Sequence, residues 1–103
     1  MEIKKAFFLD RDGVINYDKG YVHKIKDFVW KKKSKEAIKF LNNNNYLVII
    51  ISNQSGIGRG YYSEKKVKIL HDWIQKELKK NNAYIDAFFY APYYKFSKNK
   101  IYR

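Results

Sequence analysis

The chain has 103 residues, a formal charge of +12, 46% apolar residues and no cysteine. That length holds one domain over 1–103 with no room for a second core, and the apolar share excludes a disordered chain. Without cysteine a disulfide framework and a Cys-based metal site are excluded, and no apolar run approaches the ~20 residues that cross a bilayer.

Lysine supplies most of the positive charge; Arg11, Arg59 and Arg103 are the only guanidinium groups. The lysines are scattered among many Asn, Ile, Tyr and Phe residues, a bias that suits a coding sequence rich in A and T. Readers of base edges favour the arginine fork, so nucleic acid is not an expected partner. The charge can still draw in an anionic substrate. Met1 to Lys5 leads directly into an apolar run with no small-residue cleavage site, so the reading is cytoplasmic, with no membrane partner.

Three apolar runs alternate with two helical patterns. Ala6 to Leu9 is a short strand ending at Asp10. Ser34 is placed to cap a helix that turns Ala37, Ile38 and Leu41 inward, and Asn42 to Asn45 stop it. Tyr46 to Ile51 is β-branched and apolar throughout, as expected of a strand covered on both faces. Ser63 can cap a second helix with Val67, Leu70, Ile74 and Leu78 on one face, Trp73 flanking the stripe as a core residue. Tyr84 to Tyr90 is the third strand candidate. The order β-α-β-α-β calls for an α/β fold with a parallel sheet and right-handed crossovers.

In such sheets ligands bind beyond the carboxyl ends of the strands, and the polar residues of interest lie there. Asp10 and Asp12 follow the first strand at i and i+2, so strand geometry turns both the same way. Paired carboxylates suit a hard divalent cation, or a division into nucleophile and general acid/base. Alone, Asp-x-Asp-Gly reads as a solvated acidic turn. Ser52 to Gly60, after the second strand, adds hydroxyl, amide and glycine groups that can present donors to phosphate, with Arg59 as a guanidinium. It matches neither the Walker pattern nor the dinucleotide fingerprint. His23, a lone histidine after Tyr-Val, is read as a surface or packing residue.

Phe8 to Asn16 (FLDRDGVIN) resembles the first motif of haloacid dehalogenase (HAD) phosphatases of the histidinol-phosphate and heptose-bisphosphate branch. Ile51 to Gly60 (ISNQSGIGRG) resembles the second, and Gly20-Tyr21-Val22-His23 followed by Phe28 is similar to the heptose-bisphosphate members. The resemblance implies a three-layer Rossmann-like fold and a Mg2+-dependent phosphomonoesterase acting on D-glycero-D-manno-heptose 1,7-bisphosphate or a similar phosphorylated metabolite. It implies that Asp10 attacks phosphorus and ligates Mg2+, and that Asp12 is the general acid and base with its carbonyl on the metal. Ser52 and Asn53 would hold the transferring phosphoryl group; Asp18, Lys19, Gly20, Tyr21, Gln54, Ser55 and Arg59 would line the substrate.

The same resemblance sets expectations of incompleteness. The third motif, a basic residue, and the fourth, an acidic metal ligand, lie beyond Arg103 in the family, so the sheet would lack its C-terminal strands. Ala91-Pro92-Tyr93-Tyr94 stands where many relatives carry a zinc loop, and zinc is not expected. Ala6 to Leu9 would be an open apolar edge, inviting self-association or a complementing C-terminal fragment. The alternative function is a catalytically incomplete remnant that binds phosphate or a partner chain without turnover.

Overall fold

The computed structural model describes residues 4–103. Its elements are β1 (Ala6–Asp10), α1 (Ser34–Asn43), β2 (Leu47–Asn53), α2 (Ser55–Gly58), α3 (Glu64–Lys79) and β3 (Ala87–Ala91). Single 3-10 turns occupy Ile25–Asp27 and Lys100–Tyr102. The strands form one parallel sheet in the order β1-β2-β3, with Phe8 opposite Ile49 and Ile51 opposite Phe89.

Sequential order with right-handed crossovers puts both connecting helices on the same side of the sheet. The core shows this directly. Val48 and Ile50 of β2 are fully buried with Ile38 of α1 and Leu70, Ile74 and Leu78 of α3, and Leu9 and Phe88 pack against them. Alternate residues on the opposite face are open: Phe8 is 62%, Ile51 44% and Phe89 59% exposed. The expectation that β2 is covered on both faces is therefore corrected. Its continuous apolar run reflects a sheet with two apolar faces, of which the described residues cover one. Of three α/β layers, the described residues build the sheet and one helical layer.

α3 forms as its pattern requires. Ser63 accepts the Lys66 amide at the N-terminus, and the stripe from Val67 to Leu78 faces the sheet. Trp73 packs beside Phe28 and Trp30 at the core margin, which bears out its reading as a core residue. α1 departs from expectation at both points. Lys33 is its N-cap, in a left-handed conformation (φ 67°), so Ser34 falls inside the first turn and its Oγ donates to Lys31 O. Ala37 is exposed, because the stripe that faces inward runs through Ile38 and Leu41. Asn42 does more than stop the helix: its side chain bonds both the N–H and the C=O of Tyr84.

The third strand starts later than its apolar pattern indicates. Ile85 is buried, yet its N–H and C=O are taken by the Gln75 side chain at 2.8 and 2.6 Å rather than by β2. Asp86 then bonds Val48 through backbone and side chain, and pairing in the sheet begins at Ala87.

The glycine-rich stretch after β2 is a short helix, not an open loop. A Cβ on Gly56 would lie 2.3 Å from the Tyr62 ring, and one on Gly58 2.6 Å from Pro92 O. Both glycines are there for close approach. The amides of Ile57, Gly58, Arg59, Gly60 and Tyr61 all donate to backbone carbonyls of the chain. The donors that this segment can offer phosphate are therefore concentrated in its first residues, Ser52 to Ser55.

Candidate active site

β1 delivers Asp10, exposed at its carboxyl end and in register with Ile51 of β2. The chain then turns sharply at Gly13 (φ 89°), where the amides of Val14, Ile15 and Asn16 converge on Arg11 O at 3.2, 2.8 and 3.3 Å. That turn drives Ile15 into the core and returns Asn16 beneath Asp12.

The Asp12 carboxylate is held from three directions. Oδ1 accepts from Arg11 Nη2 at 2.8 Å and from Asn16 Nδ2 at 3.0 Å, and Oδ2 accepts from Gln54 Nε2 at 3.2 Å. Gln54 also donates to Ser52 Oγ at 2.6 Å, while its Oε1 accepts from the Tyr62 hydroxyl at 2.6 Å. Burial raises the Tyr62 phenol to about 12, so it stays a donor. This fixes the orientation of the Gln54 amide, and through it a connected network from Tyr62 to Asp12.

The loop 16–23 closes the other side. Asp18 Oδ1 accepts the Gly20 amide, Gly20 and Tyr21 adopt positive φ, and Tyr21 meets Tyr61 edge-on at 4.9 Å. His23 stacks on Tyr62 at 4.2 Å with its Nδ1 2.7 Å from Tyr21 O, which agrees with its reading as a packing residue.

Asp10, Arg11, Asp12, Asp18, Gly20, Tyr21, Ser52, Asn53, Gln54, Ser55 and Tyr62 line one cavity of about 400 Å³. Most residues singled out from the sequence are thus brought together. Two are not. Lys19 lines a neighbouring hollow with Gly20 to His23 and Tyr61. Arg59, at the end of α2, lies over the Tyr94 ring at 4.1 Å and lines a separate groove. Two cavity residues escaped sequence reasoning, Arg11 and Tyr62, and so did His71, whose Nε2 lies 3.1 Å from Arg11 Nη1 behind the cavity. The signal for His71 was its place on the α3 stripe, four residues after Val67 and three before Ile74.

Among the described residues no group of three His, Cys, Asp or Glu side chains is placed to hold a metal ion. Asp10 and Asp12 nevertheless offer hard oxygen donors at one cavity. Mg2+ binds through one or two carboxylates and keeps water and phosphate oxygens as its remaining ligands. The Asp10 carboxylate with the Asp12 backbone carbonyl fits that description, the Asp12 carboxylate being engaged by Arg11, Asn16 and Gln54.

The polynucleotide kinase 3 phosphatase family model matches residues 5–103. The chain belongs to this HAD phosphatase family. It is 47% identical over 90 residues to D-glycero-alpha-D-manno-heptose-1,7-bisphosphate 7-phosphatase of Photorhabdus laumondii, covering 87% of this chain and 49% of that protein. The Campylobacter jejuni enzyme of the same name is 47% identical over 86% of this chain and 52% of its own length. Among solved structures, the D,D-heptose 1,7-bisphosphate phosphatase of B. bronchiseptica, complexed with magnesium and phosphate, superposes with TM-score 0.84 at 29% identity. It covers 92% of this chain and 54% of that chain. The Burkholderia thailandensis enzyme gives TM-score 0.65 at 38% identity, over 84% of this chain and 52% of that one. The chain spans about half the length of the relatives it matches.

Proposed function

We propose that this chain carries the nucleophile and phosphate-binding elements of a Mg2+-dependent phosphomonoesterase, with D-glycero-D-manno-heptose 1,7-bisphosphate as its substrate. One observation carries the reading. The carboxyl ends of β1 and β2 bring Asp10, Asp12, Ser52 and Asn53 to a single cavity, with the Asp12 carboxylate already oriented by three donors. The names of the sequence relatives and the magnesium and phosphate held by the B. bronchiseptica structure support the substrate and the cation.

In this reading an Asp10 carboxylate oxygen attacks phosphorus as the bond from phosphorus to the ester oxygen breaks. Asp12 gives the departing alkoxide its proton. Asp12, now a carboxylate, then takes a proton from water, whose oxygen attacks phosphorus, freeing inorganic phosphate and returning Asp10. Oδ1 of Asp12 is saturated by two donors, so Oδ2, with one, is the oxygen that carries the proton. The Ser52 hydroxyl and Asn53 amide supply donors to the phosphoryl oxygens as charge builds on them. The Asp10 carboxylate and the Asp12 backbone carbonyl would hold Mg2+, which when bound would offset the repulsion between the attacking carboxylate and the phosphate dianion.

A second reading has its own observation. Among the described residues no group of three His, Cys, Asp or Glu side chains is placed around a metal position; on this reading the chain binds phosphate or a complementing chain without turnover. Phosphate release from heptose 1,7-bisphosphate, with and without Mg2+ and beside Asp10→Asn, separates the two. Mg2+-dependent release lost in the variant supports the enzyme; background release from folded wild-type chain, with phosphate still bound, supports the second reading.

A further inference from the structure

Arg11 stands between the two aspartates, and the sheet alternation that turns Asp10 outward turns Arg11 into the protein, where it is 1% exposed. Its three partners come from three separate parts of the chain. Nη2 donates to Asp12 Oδ1 at 2.8 Å and to Val22 O at 2.6 Å, and Nη1 lies 3.1 Å from His71 Nε2. Guanidinium has donors only, so His71 Nε2 accepts and the ring carries its proton on Nδ1. His71 is itself buried, stacked on Phe88 at 4.5 Å.

This is a poor way to stabilise a fold. A buried charge needs every donor satisfied to offset its desolvation, and Arg11 Nε has no partner. What the arrangement does provide is direction. The planar fork reaches the carboxylate of Asp12 and the backbone of the substrate loop at once, and helix α3 holds the fork through a neutral acceptor. A lysine, with a point charge on a flexible stem, cannot reproduce it.

We propose that Arg11 is the positioning residue for Asp12, and that His71 is the anchor that aims it. The pair occupies Asp12 Oδ1, leaves Oδ2 to exchange the proton, and ties that carboxylate to the loop carrying Asp18, Gly20 and Tyr21. The proposal rests on Asp12 being the proton donor of the reaction above.

The test uses two leaving groups. A sugar phosphate departs as an alkoxide and needs the proton; p-nitrophenyl phosphate departs as a stable phenolate and hardly needs it. Both substrates share the later attack by water, so the comparison is made on leaving-group release in the first turnover. Arg11→Met is expected to slow it roughly 100-fold for heptose 1,7-bisphosphate, and less than about fivefold for p-nitrophenyl phosphate. His71→Leu follows the same pattern, and His71→Gln, which keeps an acceptor, restores most of the sugar-phosphate rate. Equal losses on both substrates overturn the proposal, since a merely structural role lowers both together. Should Arg11→Met fail to fold, Arg11→Lys takes its place, and a wild-type first-turnover rate on the sugar phosphate in that variant overturns it equally. If the wild-type chain turns over neither substrate, the phosphatase reading fails on its own. The crystal structure of the Arg11 variant then decides the positioning role: an Asp12 carboxylate in its wild-type place overturns it, and a displaced one supports it.

Discussion

His71 sits where burial, and after it the adjacent Arg11 guanidinium, opposes a second positive charge, and its pKa is lowered to about 4. An unfolded chain protonates the same ring near its ordinary value of 6.5. The folded pKa is the lower, so the stability gained by keeping His71 neutral is complete above pH ~6.5 and is lost as pH falls towards 4. Between pH 7 and pH 5 the expected loss is about 2 kcal/mol. Urea unfolding at the two pH values reads it, and His71→Gln should flatten the difference. Glu64 also has a lowered pKa, from the hydroxyls of Tyr102 and Tyr90. Its effect falls at lower pH, outside that window. At the same scale, on the proposed phosphatase reading Asp10→Asn should remove phosphate release from heptose 1,7-bisphosphate while leaving the fold intact. Asp10 is exposed and none of the side-chain hydrogen bonds of the site passes through it. A colorimetric phosphate assay beside a circular dichroism spectrum checks both halves of that statement.

The elements separate by what lies against them. Ile50 and Ile51 are neighbours on β2 with the same side chain, yet Ile50 is fully buried beneath the helices and Ile51 is on the open face. Ile50→Ala should cost about 2–5 kcal/mol, and Ile51→Ala under about 1 kcal/mol. Chemical denaturation of the two variants measures the asymmetry of the sheet directly; similar costs would mean that the second face is covered in solution. α3 and α1 make a second contrast. Ser63 accepts an amide at the start of α3, whereas α1 starts at Lys33 with no side-chain cap. Ser63→Ala should therefore cost about 1 kcal/mol, while Ser34→Ala removes only the bond from Oγ to Lys31 O.

The molecule as a whole is a slab, 44 × 34 × 19 Å, with a radius of gyration of 14.6 Å. A compact chain of this length has a radius near ~13 Å, and the excess follows from two layers where a third would thicken the body. Phe8, Ile51 and Phe89 lie bare on one face, and β1 has a paired neighbour on one side only. An open strand edge beside an apolar face is a surface on which chains associate. Sedimentation velocity should show concentration-dependent self-association that salt does not abolish, and Phe8→Lys with Phe89→Lys should suppress it. A wild-type chain that stays monomeric at high micromolar concentration would show that these residues are covered some other way.

Local pattern carried the reading a long way. The apolar runs located all three strands, the third starting later than its run, and the helical stripe from Val67 to Leu78 named every buried residue of α3 except His71. Asp10, Asp12 and Ser52 to Ser55 were legible because a parallel sheet gathers the residues after its strands at one end, whatever the rest of the fold does. Short-range periodicity and turn chemistry settle such features within a few residues of chain. Three others depended on contacts that no local pattern encodes. Which face of β2 is covered follows from strand order and crossover handedness. Arg59 leaves the cavity because α2 turns it towards Tyr94, and the glycines before it serve close packing against Tyr62 and Pro92. Arg11 takes its role from a histidine 60 residues away; until the fold brings the two together, a guanidinium beside two carboxylates is only another surface charge.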